Sequence, residues 1–327
     1  MAEKSTTEKK IRKSILAGSW YPKDKDQLKK QILSYLSEQS DFEQDSVAEP
    51  DSVLESDSVK DNIIGLIVPH AGHIFSGRVA GKAYSLLKGQ DIKRVIILAP
   101  SHYFFFRGAA LCDYTHYETP LGDVKVANAS SLLGINTGNK NPNNPFILYQ
   151  EAHSFEHAIE IQLPFLQFIL NDFEMLPIII GADTSQNQIK EIAASLIDFV
   201  PEKTLVIASS DFTHYGPNYD YLPFVSNVKE NLKKLDMKAA NLIIQKDSEA
   251  FLRFIEETGS TICGNLPIAI LIEIMQHHGA EAKLIAYDTS GNITGDFTNS
   301  VSYCSIAFFK QGKEERIIKN KKVEEKW

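Results

Sequence analysis

Three residues whose side chains bind transition metals stand at the ends of apolar runs in this chain. His70 falls in Val68-Pro69-His70-Ala71-Gly72, His102 in Ala99-Pro100-Ser101-His102, and Cys263 in Thr261-Ile262-Cys263-Gly264-Asn265, just ahead of an apolar helical pattern. Imidazole and thiolate suit iron, copper or zinc, whereas magnesium and calcium call for oxygen ligands. A His-His-Cys set also leaves a fourth position open to water, substrate or dioxygen, as catalytic metal sites do. The place of Cys263 before a helix favours the thiolate, because a helix amino terminus lowers a thiol's pKa. The competing reading of Cys263 is a packed or reactive thiol. Taken singly, each histidine reads as structural; in one shared context they read as a common site.

Two further clusters could handle protons. Asp211 and His214, in Ser209-Ser210-Asp211-Phe212-Thr213-His214, follow another apolar run. They could orient a ligand imidazole, act as a general acid/base pair, or form a turn capped by Asp211. In Glu151-Ala152-His153-Ser154-Phe155-Glu156-His157-Ala158-Ile159-Glu160 the start reads as loop. Glu156, His157 and Glu160 then fall on the first turns of a helix over 155–170, whose buried stripe is Ile161, Phe165, Leu166 and Ile169. Surface pairing and a role in the site both remain open for that trio. His116, His277 and His278 read as loop and helix-end residues.

The elements that must position these residues alternate. Continuous apolar runs at Ile63–Val68, Arg94–Ala99, Glu174–Ile180, Lys203–Ala208, Ala282–Tyr287 and Val301–Phe309 read as buried strands. Helical patterns lie around 78–88, 155–170, 186–199, 228–244, 247–257 and 265–278. Alternation predicts an α/β fold, a mainly parallel sheet covered by helices on both faces. The histidines then follow strand carboxyl ends, the edge where open α/β sheets bind ligands. Gly72, Gly77 and Gly81 do not have dinucleotide-loop spacing, and neither a Walker motif nor a nucleophile elbow is present.

Composition narrows the class. The chain has 327 residues, 43% of them hydrophobic, enough for a substantial core. Its charged first thirteen residues do not resemble a signal peptide, and no apolar run reaches the roughly 18 residues of a membrane span. The expectation is a cytoplasmic protein. The three cysteines are too few and too far apart for a disulfide framework, and Cys112 and Cys304 read as small core residues. Residues 38–61 hold nine acidic groups and one lysine, a net −8 that equals the formal charge of the whole chain. The remainder is formally neutral and carries no basic stripe for nucleic acid. The acidic segment repeats Asp-Ser-Val at 45–47, 51–53 and 57–59 and reads as a disordered insertion. The expected organisation is a disordered 1–10, one domain over 11–310 interrupted at 38–61, and a charged tail over 311–327.

The pieces Ala17-Gly18-Ser19-Trp20-Tyr21-Pro22, Val68-Pro69-His70-Ala71-Gly72, Pro100-Ser101-His102, Thr119-Pro120-Leu121-Gly122, Glu156-His157-Ala158-Ile159-Glu160, Ser209–His214 and Ile262-Cys263-Gly264 occur in an order that resembles the Memo family. That family includes the AmmeMemoRadiSam system protein B. The resemblance implies a three-layer αβα sandwich similar to class III extradiol dioxygenases. It also implies a metal site at His70, His102 and Cys263, flanked by His157, Asp211 and His214. Cys263 stands where those dioxygenases would be expected to use a carboxylate, which argues against ring cleavage. His73 and Tyr103 stand where Tyr and often His are expected, and His73 is a further polar group for the pocket.

The function expected from these readings is a metalloprotein holding iron or copper, with redox or dioxygenase-like chemistry on an unidentified small molecule. Asp211, His214 and His157 are its catalytic candidates. A zinc hydrolase is a third option, and a non-catalytic module binding a peptide or protein through the same pocket is the rival. The resemblance also implies functional association with AMMECR-type and radical SAM proteins; no nucleic acid or membrane partner is expected. Deleting residues 38–61 should leave melting and metal content near those of the full chain, because such a segment buries too little apolar surface to offset its ordering entropy. Strong hydrogen-exchange protection across 45–59 would contradict this.

Overall fold

A computed structural model describes residues 8–37, 62–133, 144–200 and 203–310. The acidic segment, the tail and residues 1–7 lie outside it. The strands are β1 (Ile11–Arg12), β2 (Ile63–Val68), β3 (Arg94–Pro100), β4 (Ala109–Leu111), β5 (His116–Thr119), β6 (Gly122–Val126), β7 (Phe146–Leu148), β8 (Glu174–Ile180), β9 (Thr204–Ser209), β10 (His214–Tyr215), β11 (Glu281–Thr289) and β12 (Ser300–Phe309). They form one sheet in the order β1-β5-β6-β8-β3-β9-β2-β12-β10, with β4 beside β8, β7 beside β4, and β11 beside β12. From β6 to β2 every neighbouring pair is parallel; β12 closes that run antiparallel to β2.

Alternation of side chains splits the core in two, as the pleat requires. Val95, Ile97 and Ala99 of β3 and Leu205 and Ile207 of β9 face helices Lys25–Ser37 and His73–Ser85. Ile96, Leu98, Val206 and Ala208 face helices Gln186–Ile197, Val228–Ile244, Ser248–Thr258 and Asn265–His277. The result is the expected three-layer α/β sandwich. Helices His73–Ser85 and Lys25–Ser37 touch where a Cβ on Gly81 would lie 2.6 Å from the Tyr35 carbonyl oxygen. Two of the glycines that failed as a phosphate loop, Gly77 and Gly81, thus serve close helix packing.

The helix expected over 155–170 is broken. Helix Gln150–Phe155, one turn His157–Glu160, and helix Leu163–Ile169 follow one another, so Glu151 and His153 are helical and the later stripe belongs to separate pieces. Glu156 leaves the helical path at φ −73°, ψ 126°, and its carboxylate caps the next turn through the Ala158 N–H. Nor do Glu156 and Glu160 pair on a surface: they are 1% and 0% exposed.

Glu160 ties the amino-terminal segment to that turn. Its carboxylate accepts from the Arg12 guanidinium, the Tyr21 hydroxyl at 2.6 Å, Ser14 Oγ at 2.7 Å, and the Ile15 and Leu16 N–H groups at 3.0 and 3.1 Å. Arg12 in turn donates to the His153 and Glu156 carbonyls at 3.0 and 2.7 Å. Burial pushes the Glu160 pKa up, but Arg12 and the hydroxyl and N–H donors outweigh it and hold it below the usual 4.5. A depressed folded pKa gives stability that is present above the unfolded value and lost as pH falls through the folded one. Arg12→Ala should therefore cost about 3–5 kcal/mol in denaturant unfolding. Glu160→Gln should shrink the part of the wild-type stability loss that falls below pH 4.5. An Arg12→Ala protein with an unchanged midpoint would contradict this role for the pair.

Candidate metal centre

Because β9 lies between β2 and β3, the carboxyl ends of these three strands are adjacent, and each delivers one polar residue to one edge. His70 follows β2. Its Nδ1 lies 3.1 Å from Ser209 Oγ, whose own proton goes to the Ala158 carbonyl at 2.7 Å while Gln162 Nε2 donates to it at 2.8 Å. Ser209 can only accept from the imidazole, so Nδ1 carries the hydrogen and Nε2 keeps its lone pair. His102 follows β3. Its Nδ1 donates to Glu156 Oε1 at 2.9 Å and its backbone N–H donates to Oε2 at 2.9 Å, again leaving Nε2 for a ligand.

Cys263 arrives from the other side, ahead of helix Asn265–His277. Its Sγ lies 3.1 Å from His70 Nε2 and 3.6 Å from the Asp211 carbonyl oxygen. The approach depends on Gly264, where a Cβ would come within 2.5 Å of the Ser210 Cβ and 2.7 Å of the Ser209 carbonyl oxygen. One ligand atom from each of His70, His102 and Cys263 lies within 4.8 Å of the others. Two nitrogens and a sulfur at that spacing fit a borderline or soft ion such as iron, copper or zinc.

The electrostatics fit a cation. Burial lowers the His70 pKa well below 6.5, as do the nearby His102, His157 and His214, so the ring is neutral, the form that ligates. The Cys263 thiol is pushed up, first by burial and next by Asp211. The expected lowering at a helix start is thus overridden by desolvation, and a metal ion would have to drive off the thiol proton.

Asp211 does not cap its own turn; its Oδ1 accepts from the His70 and Ala71 N–H groups at 2.7 and 3.2 Å and fixes the turn after β2. Burial raises its pKa, opposed by His214 and those two N–H donors. His214 stands beside it, Nδ1 donating to the Thr261 carbonyl at 3.1 Å. His157 stacks on His102 with ring centroids 4.5 Å apart, under Trp20 at 4.7 Å. Burial lowers its pKa to about 4. Tyr103 and Tyr219 stand beside His157 and His214. Glu156, given no separate role from sequence, is the residue that grips His102; its signal was a carboxylate directly before His157.

One further expectation fails. His73 does not enter the pocket: it is 1% exposed, packs on Tyr21 and Phe165, and donates from Nε2 to the Ile161 carbonyl at 3.2 Å. His153 is structural, bridging the Tyr117 hydroxyl and the Ala110 carbonyl at 2.8 and 3.0 Å. Cys304 is buried in the core and Cys112 is half-buried. A recess of about 610 Å³ lies at the opposite sheet edge, lined by Lys93, Arg94, Lys125, Glu174 and Lys203, far from this chemistry. Among the described residues, no helix is long and apolar enough to cross a membrane.

The chain is similar over 92% of its length to a MEMO1 family protein of Thermoplasma volcanium, 32% identical across 305 residues and 99% of that relative. A MEMO1 family protein of Nitrosopumilus maritimus is 30% identical over 302 residues, 91% of this chain and 99% of that one. An uncharacterized protein of Escherichia coli K12 superposes with a TM-score of 0.51 at 17% identity, over 74% of this chain and 98% of its own, a likeness of fold alone. The model of Memo-like proteins matches residues 12–307, a span that holds all three metal-ligand candidates, and the chain belongs to the Memo family.

Proposed function

We propose that this protein binds iron or copper through His70, His102 and Cys263 and performs redox or dioxygenase-like chemistry on a small molecule, in the cytoplasm. The observation that carries this reading is the donor geometry: three ligand atoms within 4.8 Å, with both imidazole Nδ1 atoms engaged elsewhere so that Nε2 is the nitrogen left for a metal. Iron or copper held there would supply a redox couple and a Lewis-acidic position for substrate.

The protein's own groups define the rest. Ser209 and Glu156 fix the two imidazole tautomers, and Gly264 sets the approach of the thiol. His214 holds its Nδ1 hydrogen on the Thr261 carbonyl, so Nε2 is the atom that takes or gives a proton beside Asp211. His157, stacked on His102, is a second proton carrier. Trp20, Tyr103 and Tyr219 flank these groups with aromatic surface. One observation favours the second reading, a peptide- or protein-binding module: Tyr103 and Phe105, directly after His102, are 59% and 80% exposed. Such a module should keep its ligand after metal removal, whereas a redox site should not.

Anaerobic purification followed by metal analysis and spectroscopy under oxidant tests the first reading. Replacing His70, His102 or Cys263 with Ala should lower the iron or copper content while circular dichroism stays that of the wild type. Undiminished metal in Cys263→Ala would remove the thiol from the ligand set. Asp211→Asn should keep metal at ordinary loading but weaken affinity or turnover by about 10–100-fold and change the pH dependence of the metal spectrum. Loss of metal in His214→Ala as complete as in His70→Ala would make His214 a ligand.

A further inference from the structure

Glu156 has a neighbour that its known bonds do not explain. Its Oε1 accepts from the Ala158 N–H and from His102 Nδ1, both at 2.9 Å, while Oε2 accepts from the His102 backbone. His157 Nδ1 lies 3.3 Å from the same Oε1, yet it is buried and makes no hydrogen bond. Residue His157 is 9% exposed, so bulk water does not answer for that nitrogen. A buried polar atom without a partner calls for an explanation, and an ion is one of the few available.

The surroundings supply the rest of an ion site. The His102 and His157 rings are stacked, 28° from parallel, and both Nδ1 atoms flank one carboxylate oxygen. Ligand atoms of His102, Glu156 and His157 lie within 4.8 Å of one another, in a group that shares only His102 with the His-His-Cys set. Two ligands each about 2.1 Å from a common cation stand roughly 3.0–3.4 Å apart at octahedral to tetrahedral angles. The separations of 2.9 and 3.3 Å come close to that spacing. Two imidazoles and one carboxylate suit a divalent transition ion.

We infer that His102 Nδ1, Glu156 Oε1 and His157 Nδ1 form a second cation position, which takes a divalent transition ion and abuts the His-His-Cys site through shared His102. The ion takes the place of the His102 Nδ1 proton and leaves the Ala158 bond intact. His157 enters as neutral imidazole with its hydrogen on Nε2. When both positions are filled, His102 is an imidazolate between them and its proton passes to solvent. The His102 side chain, 27% exposed, gives the ion access. The bridging form rests on the metal reading above; the second position itself does not.

Zinc titration separates the two. The double variant His70→Ala/Cys263→Ser removes two donors of the first set and none of the second. It should still bind one zinc per chain, and adding His157→Ala should weaken that binding by about tenfold or more. Wild type should bind two, with the extra proton from His102 detected in weak buffer. Copper(II) electron paramagnetic resonance of the double variant should show nitrogen couplings from two imidazoles, reduced to one by His157→Ala, a readout that does not depend on global stability. A double variant that takes up no zinc while retaining the wild-type circular dichroism would overturn the inference, as would affinity and couplings unmoved by His157→Ala. Failure of the His-His-Cys reading looks different: wild type would then bind a single zinc that Cys263→Ser leaves in place and His157→Ala weakens.

Discussion

The buried carboxylate of Glu160 organises one whole side of this molecule. Five donors from Arg12, Ser14, Ile15, Leu16 and Tyr21 converge on it, so a loop with little core of its own is anchored by polar bonds. A buried ion pair recovers its desolvation penalty only when the geometry is good and the remaining lone pairs are satisfied, and here both conditions hold. The arrangement also explains Trp20. Anchored at Leu16 and Tyr21, the loop sets the indole against His157 and lets its carbonyl accept from the His73 N–H at 2.9 Å, joining the helix that follows β2.

Carboxylates recur as positioning groups around the pocket. Glu156 fixes His102, Asp211 fixes the turn of His70, and Asp236, buried behind the site, accepts from Thr213 Oγ1 at 2.6 Å and the Tyr287 hydroxyl at 2.7 Å. Burial raises the pKa of Asp236 and Asp211; at Glu156 burial also pushes upward, but His102, His157 and the Ala158 N–H outweigh it and hold the carboxyl below its usual value. Concentrated acidic groups beside a thiol disfavour one another in the metal-free protein. A cation reverses the sign of that interaction, so the ligand set is better suited to a charged occupant than to an empty pocket.

Much of this was legible in the sequence because its signals were local. The six long apolar runs became strands; β2, β3, β8 and β9 are buried nearly throughout, as apolar stretches in a sheet covered on both faces require, whereas β11 stays half-exposed. The residues at their ends could be placed at one edge by topology alone. What failed was local pattern overruled by a distant partner. The stretch 155–170 keeps helical periodicity, but Glu156 leaves the helix because His102, 54 residues earlier, supplies two donors to its carboxylate. His73 follows the site motif, yet its helix turns the ring away from the pocket and toward Phe165. Strands β4, β5, β6 and β7 and helix Lys25–Ser37 were missed, the strands because they are short and, apart from the buried β4, partly exposed.

The strand order carries a consequence for how the chain is made. β2 and β3 emerge early, but their shared neighbour in the sheet is β9, which appears only after residue 204. Until then the nascent chain holds two apolar strands with no native partner between them, and unpaired edges of that kind recruit other chains. At about 5–20 residues per second, the interval from Pro100 to Thr204 lasts on the order of ten seconds. The insertion of β9 that brings His70 and His102 together therefore also covers, during biosynthesis, the facing edges of β2 and β3 that the half-made protein leaves open.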